Sequence, residues 1–290
     1  MRLDHPIFKG PLSVDVVLDA DHPYMGQGTW LVYSPESGKG SDWGMVSDGH
    51  ELEDSPDCER ISGGINSKGP CAVAIGRQAS LLQWGFYGAP DHMTESAKRA
   101  FLNAIVYMKQ FDGQVPLVKK TSAGRTWLDQ YIETLEGMKP EERVPKEKND
   151  LASYLVAKFP AELTKDGVDP ARLRKWYQDN EEFLTTAGLD RTMIVDQDLA
   201  ALKLSNRKSE FLDWLLRAFV EDPQDAMARK LAGRYLGDHG IPDAKAATAY
   251  ITENRPFLFF TDTGGYHWMV DVNAQRTARV KDATAKKDGK

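Results

Sequence analysis

The distribution of apolar residues divides the chain into two parts of different texture. In the first part, up to about residue 115, apolar residues come in short runs separated by Gly, Pro and polar residues, which is typical of strands joined by loops. In the second part, residues 125–255, they recur at three- and four-residue spacing, which predicts amphipathic helices. The short runs of the first part cover residues 14–18, 30–33, 71–75 and 81–86.

One helix of the first part has clear ends. Thr94 is suited to cap its N-terminus, because a threonine hydroxyl accepts a hydrogen bond from the first turn, and Asp112-Gly113 is suited to end it. Together with the run at 81–86, this predicts strand, turn, strand and helix over residues 69–113. The apolar face that we expect the helix to bury consists of Ala97, Phe101, Ala104, Ile105 and Met108.

The second part predicts a helical bundle. Asp169-Pro170 and Asp222-Pro223 each place a capping residue before a proline suited to the first helical position. The strongest apolar stripe is formed by Phe211, Leu212, Leu215, Leu216 and Phe219. The expected helices lie near residues 126–136, 148–159, 170–185, 196–203, 207–220, 223–236 and 244–254.

The end of the chain changes character again. Residues 257–260 and 266–270 are apolar and aromatic, and they flank the turn sequence TDTGG at 261–265, which predicts a β-hairpin. From residue 273 the charged composition predicts a disordered tail. The fold class is therefore α/β over residues 1–118, then an all-α bundle with a C-terminal β-hairpin over 125–272, and a tail over 273–290.

Certain segments also resemble known sequences. HPIFKG at 5–10 and GRQ at 76–78, with NAI at 103–105 in the following helix, resemble the ThuA-like, class I glutamine-amidotransferase-like α/β fold. The resemblance implies that residues 1–118 are the C-terminal half of such a sandwich. The segment FFTDTGGYHWMVD at 259–271 is similar to uncharacterised C-terminal regions of planctomycete-type bacterial proteins, to which no activity is assigned.

Neither cysteine suits amidotransferase chemistry. Active members of that fold carry a nucleophilic Cys on a tight strand-to-helix elbow, whereas Cys58 lies in the acidic loop EDSPDCER and Cys71 enters a strand after Gly69-Pro70. We therefore transfer no nucleophile and no triad, and we predict no catalytic residues. The two cysteines also lack C-x-x-C spacing, which leaves either one disulfide or two buried thiols.

Bulk properties exclude some classes of function. The net charge of −6 argues against a nucleic-acid binder, and no apolar run approaches the roughly 20 residues of a membrane span. The N-terminus lacks the apolar segment of a signal peptide, so the chain as written is expected to be cytoplasmic, unless an upstream segment directs export. No cofactor motif is present in the sequence.

A loop histidine is the first candidate for ligand binding. His92 precedes the helix that begins after Thr94, and loops placed in this way often carry function. With Asp91, Trp43 and Tyr87 it forms the predicted ligand-binding set; a solvated loop is the competing interpretation. Aromatic residues of the first part could stack on sugar rings or fill the core: Tyr24, Trp30, Tyr33, Trp43, Trp84 and Tyr87.

Other candidate sites have plainer explanations. The carboxylates Glu51, Glu53, Asp54 and Asp57 could hold a hard cation, but their spacing fits no EF-hand and a solvated acidic loop is favoured. A zinc site with His50 and the two cysteines lacks paired ligand spacing. The Asp-Thr-Gly of the hairpin has no second copy, so a turn is favoured over an aspartic-protease dyad. We predict no metal site.

These observations favour a non-catalytic role. We expect a structural or ligand-binding module of a bacterial protein, whose partner is a small molecule, a glycan or another protein. The alternative is a hydrolase-like enzyme acting on carbohydrate-derived substrates. That alternative requires His92 to converge in one cleft with a carboxylate among Glu51, Glu53, Asp54 and Asp57.

Overall fold

The computed structural model consists of two compact units, Met1–Pro116 and Leu117–Lys290. Helices account for 50% of it and strands for 18%, and the sheets are small and antiparallel, so the predicted class of mixed α and β with a helical second part is confirmed in outline. The structure describes residues 1–24, 27–33, 47–48, 52–66, 69–86, 88–144, 151–165, 167–187, 192–237 and 239–288.

The first unit is built on antiparallel strands. Its strands are β1 (Leu18–Tyr24), β2 (Gln27–Trp30), β3 (Ser47–Asp48), β4 (Cys58–Asn66), β5 (Gly69–Gln78) and β6 (Leu81–Trp84). β1 pairs with β2, while β5 pairs with β4 along one edge and with β3 and β6 along the other. A Cβ at Gly76 of β5 would lie 2.8 Å from side-chain atoms of both Leu52 and Val73, so this position accepts only glycine without rearrangement.

Two helices complete the first unit, α1 (Pro6–Lys9) and α2 (Glu95–Met108). The Thr94 hydroxyl accepts a hydrogen bond from the Ala97 N–H at 3.3 Å, which confirms the predicted cap. The predicted apolar face of α2 is wrong in part. Ile105 is 56% exposed, and the buried residues are Ala97, Ala100, Asn103 and Ala104. Small side chains allow α2 to approach Ile7, Ile61 and Ile75 closely.

Two further expectations for the first unit are corrected. Residues 13–17 form no strand; β1 begins at Leu18, and Val17 is 78% exposed. The disulfide is excluded, because Cys58 is opposite Gln78, the last residue of β5, whereas Cys71 lies seven residues earlier on that strand. At about 3.3 Å per residue that separation exceeds 20 Å, far beyond disulfide reach. The Cys58 sulfur accepts a hydrogen bond from the Ser55 hydroxyl at 3.1 Å.

The second unit packs most of its helices around one core. Its large buried side chains include Leu128, Leu173, Phe211 and Tyr235, which lie on four different helices. Its helices are α3 (Arg125–Gly137), α4 (Leu151–Val156), α5 (Ala161–Thr164), α6 (Pro170–Asn180), α7 (Gln197–Leu202), α8 (Ser209–Glu221), α9 (Ala226–Tyr235), α10 (Ala244–Asn254) and α11 (Val272–Asp288).

The second unit is not an all-α bundle before its predicted hairpin. β7 (Leu184–Ala187) and β8 (Thr192–Val195) form an additional antiparallel hairpin, which the helical spacing of the surrounding sequence concealed. The expected hairpin is present as β9 (Leu258–Thr261) and β10 (His267–Val270).

Helix ends in the second unit both confirm and correct the sequence prediction. Asp169 caps α6 as expected, by accepting a hydrogen bond from the Ala171 N–H. α9 is capped by Asp225 rather than Asp222, which instead accepts a hydrogen bond from the Gln224 N–H. The disordered tail predicted over 273–290 is wrong for residues 273–288, because α11 extends from Val272 to Asp288; residues 289–290 lie outside the described part of the chain.

The first turn of α11 is held against the rest of the unit. The Asp271 carboxylate accepts a hydrogen bond from the Ala274 N–H, and the Gln275 side chain donates to Asn254 at the end of α10. Asn273 is 7% exposed. A charged sequence therefore forms a helix here because its first turn is capped and packed.

Candidate functional site

The loop that carries His92 is fixed by hydrogen bonds to the strands beside it. Gly85 donates to the Ala74 carbonyl at 2.7 Å, and the Tyr33 hydroxyl donates to the Gly88 carbonyl at 2.8 Å. Residues Pro90–His92 form one 3-10 turn, in which the side chains of Asp91 and His92 are exposed. Two members of the predicted ligand-binding set therefore face solvent on a rigidly held turn.

The other members of the ligand-binding set, Trp43 and Tyr87, lie outside the described residues. The aromatic residues that are described belong mainly to the packing of the first unit. Trp84 packs against Phe86 and Phe101, and the Trp30 indole donates a hydrogen bond to Ser96. Packing within the first unit thus accounts for Trp30 and Trp84.

The structure does not bring His92 to the acidic loop. His92 precedes the N-terminus of α2, whereas Glu59, two residues after Asp57, accepts a hydrogen bond from Tyr107 in the last turn of α2. A helix of this length separates its ends by about 20 Å. The convergence required by the hydrolase alternative is therefore absent for Asp57.

The acidic loop itself shows no metal-binding geometry among its described members. Glu53 is exposed, Asp54 is half-buried and Asp57 is 4% exposed, while Glu51 and His50 lie outside the described residues. No group of three or more His, Cys, Asp or Glu side chains in the described part of the chain could hold a metal ion.

A polar cluster among the described residues of the first unit surrounds Glu59, a residue that the sequence analysis did not single out. Its carboxylate accepts hydrogen bonds from the Tyr107 hydroxyl at 2.6 Å, the Arg77 Nε at 3.3 Å and the Arg2 guanidinium at 3.2 Å. The His5 Nε2 lies 3.2 Å from Glu59 Oε1, the oxygen that also accepts the hydrogen bond from Arg2. These partners come from β5, α2 and the N-terminal segment, so one carboxylate joins three parts of the unit.

His5 and Glu59 are the residue types of a catalytic histidine–carboxylate dyad. Both ring nitrogens of His5, however, already have hydrogen-bond partners. Nδ1 accepts a hydrogen bond from the Ile7 N–H at 3.3 Å, which assigns the proton to Nε2 and makes His5 the cap of α1. Nε2 in turn donates to Glu59. With 2% of its surface exposed, His5 has no nitrogen available to a substrate.

The titration of the cluster follows from burial and pairing. Burial, the largest cause, lowers the pKa of His5, although Glu59 acts in the opposite direction. Burial would raise the pKa of Glu59, but Tyr107, His5 and Arg77 together outweigh it and lower that pKa. Burial and the Glu59 carboxylate raise the pKa of Tyr107 to about 12. At neutral pH the cluster thus holds a carboxylate, a neutral imidazole and a neutral phenol.

The amide of Asn103 connects the segments on which the family resemblance rests. Its side chain is fully buried on α2; Nδ2 donates to the carbonyls of Ile7 and Leu12, and Oδ1 accepts from the Leu12 N–H at 2.9 Å. Arg77 of the GRQ segment meanwhile donates to the carbonyls of Asp57 and Ala79. The segments at 5–10, 76–78 and 103–105 therefore serve packing of the fold.

The second unit has its own buried ionic cluster at the turn between β9 and β10. Arg125 is 1% exposed, and its Nε and Nη2 each donate to Asp262 at 2.8 Å, while its backbone N–H donates to the same carboxylate at 2.9 Å. The third guanidinium nitrogen, Nη1, donates to the Glu181 carbonyl, and Nη2 also donates to the Asn206 side-chain oxygen. All guanidinium nitrogens of this buried arginine are thus satisfied.

The rest of the TDTGG turn holds the segment that precedes α3. The Thr263 carbonyl accepts hydrogen bonds from the N–H groups of Thr121 and Ser122, at 2.8 and 2.9 Å. A Cβ at Gly264 would lie 2.7 Å from Thr261 and 2.9 Å from Val118, so the turn requires glycine there. The Asp-Thr-Gly sequence is thus a structural turn, and its carboxylate is committed to Arg125.

Comparison with known proteins adds no relative: no family model, no curated protein and no solved structure matches the chain. Among the described residues, no helix has the length and apolar character needed to cross a membrane. Function must therefore be inferred from the chain's own residues.

Proposed function

We propose that the chain is a non-catalytic structural or ligand-binding module of a bacterial protein. The observation that carries the proposal is the environment of His5, the histidine closest to a catalytic arrangement. It is buried, and both of its nitrogens are bonded, to Glu59 and to the Ile7 backbone. Asp262, the carboxylate of the Asp-Thr-Gly sequence, is likewise bound to Arg125.

We further propose that the first unit is the closing part of an amidotransferase-like α/β sandwich. The support is that the HPIFKG segment and the NAI segment meet through Asn103, as packing motifs of one fold should. The sheet pairings described here are antiparallel, so the proposal covers only the segment at 5–10 and the strand, turn, strand and helix over residues 69–111.

The ligand-binding surface in this proposal is the turn of Asp91 and His92, together with Trp43 and Tyr87. An exposed imidazole and carboxylate on a fixed turn can recognise hydroxyl groups without large ordering cost. A glycan or small polar molecule suits such groups better than an apolar ligand. We place the hydrolase alternative second, because Asp57, a buried member of its four candidate carboxylates, and His92 are at opposite ends of α2.

The proposal is tested by binding and turnover measured on the same protein. A glycan array and a panel of chromogenic glycosides, esters and amides are applied to the wild type, to His92→Ala and to Trp43→Ala. We expect no turnover, and glycan binding that both substitutions weaken at least tenfold. Asp112→Ala, an exposed carboxylate beyond the other end of α2, is the matched control.

Two results would overturn the proposal. Turnover that disappears on a single substitution, in a variant that still folds, would establish an enzyme. Glycan binding that is equally strong in His92→Ala, Trp43→Ala and Asp112→Ala would remove the turn from the binding surface.

A further inference from the structure

The N-terminal segment, residues 1–12, is attached to the first unit largely through polar contacts. The Arg2 N–H donates to the Ile61 carbonyl at 3.0 Å, His5 and Arg2 contact Glu59, and Asn103 binds the backbone of Ile7 and Leu12. Beneath these contacts Ile7 and Phe8 are buried and cover part of the unit's core.

His5 is the titratable group on which this attachment depends. Its Nδ1 must be unprotonated to accept the hydrogen bond from the Ile7 N–H that begins α1. A proton on Nδ1 would place two donors against each other at 3.3 Å. Because His5 is 2% exposed, water cannot accept that proton unless the segment moves away.

The charges around His5 decide the direction of the effect. A protonated imidazole would gain attraction from Glu59 and Asp4, but Arg2 and Arg77 already neutralise the Glu59 carboxylate. The net result is a lowered pKa for His5, with burial as the largest cause. The charged or titratable groups that face it are Glu59 on β4, Arg77 on β5, Tyr107 on α2, and Arg2 and Asp4 in its own segment.

We propose that His5 makes residues 1–12 an acid-released latch: protonation removes the cap of α1 and frees the segment, exposing Ile7, Phe8 and the apolar surface beneath them. The closed segment binds fewer protons than the open one, since the pKa of His5 is lowered from 6.5. The attachment is thus at full strength above about pH 6.5 and weakens as the pH falls below it.

The latch is tested by hydrogen–deuterium exchange of peptides that cover residues 1–12, corrected for the intrinsic pH dependence of exchange. Between about pH 7 and pH 5.5 we expect protection of this segment to fall by up to about tenfold per pH unit, the limit for one linked proton. Peptides from α8 should keep their protection, because that helix belongs to the other unit.

The decisive variant is His5→Asn. The asparagine Oδ1 occupies the position of the histidine Nδ1 and can accept the same capping hydrogen bond, but it does not titrate. We expect the variant to keep the segment protected with no dependence on pH in this range.

The proposal is overturned if wild-type residues 1–12 keep their protection at about pH 5.5, or lose it only in parallel with α8. It is also overturned if His5→Asn shows the same pH dependence as the wild type. If His5→Asn does not fold, the wild type alone still tests the latch, because the pH dependence of protection in residues 1–12 is compared with that in α8.

Discussion

Substitution of Asp262 by asparagine should cost more stability than an equivalent change at the surface. Asp262 accepts three hydrogen bonds from Arg125, which is 1% exposed. Asn keeps one acceptor oxygen but turns an NH₂ group toward these donors and leaves the guanidinium uncompensated. Breaking a buried pair in this way typically costs about 3–5 kcal/mol.

The measurement is urea unfolding followed by far-UV circular dichroism, which reports mainly on the second unit because most of the described helices lie there. The matched control is Asp213→Asn. Asp213 pairs with Arg255 at the same 2.8 Å, but the two side chains are 46% and 35% exposed. An exposed pair of this kind contributes about 0.2–1 kcal/mol.

A double variant completes the test. Arg125→Met combined with Asp262→Leu removes the unpaired charge, so it should be less destabilised than the sum of its single variants, by about 1–3 kcal/mol. Equal costs for Asp262→Asn and Asp213→Asn would refute the reasoning, because burial would then make no difference to the pair.

Other predictions concern the first unit. Asn103→Ala removes three hydrogen bonds to the backbone of Ile7 and Leu12 and should cost about 3 kcal/mol, with faster proteolysis in residues 1–12; unchanged proteolysis would contradict this role. Gly76→Ala should cost about 1–3 kcal/mol by overpacking, whereas Gly137→Ala, at a helix position with open space, should be neutral or slightly stabilising, each measured by the urea dependence of hydrogen–deuterium exchange in the peptide that holds the glycine. Similar effects at both glycines would contradict the contact argument.

Local signals in the sequence predicted those features that neighbouring residues determine. The cap at Thr94, the cap at Asp169 and the buried stripe of α8 depend on residues within a few positions of each other, and the structure confirms them. The face of α2 was predicted less well. Asn103 is buried there because Ile7 and Leu12, more than 90 residues away, need its amide, and periodicity cannot reveal that.

The ionic clusters were beyond sequence reasoning for the same reason. Arg125 and Asp262 are separated by 137 positions, and although the TDTGG sequence marks Asp262 as a turn residue, nothing near it in sequence indicates Arg125 as its partner. His5 and Glu59 are 54 positions apart. The HPIFKG and GRQ segments, which carry the resemblance, are joined in the structure by the contacts of His5 and Arg77 with Glu59. Glu59 directly follows Cys58 in the sequence, and no local pattern marks it as the partner of residues 54 and 18 positions away.

The most direct test of the central claim, that the chain's catalytic-type residues hold its fold, is the tautomer of His5. Two-dimensional ¹H–¹⁵N correlation of the histidine side chains at neutral pH reports which nitrogen carries the proton, and the spectrum of His5→Asn assigns the signals. We predict a neutral ring with its proton on Nε2, as the bonds to Glu59 and the Ile7 N–H require. A proton on Nδ1, with Nε2 open to solvent, would make His5 an available base and would contradict the account.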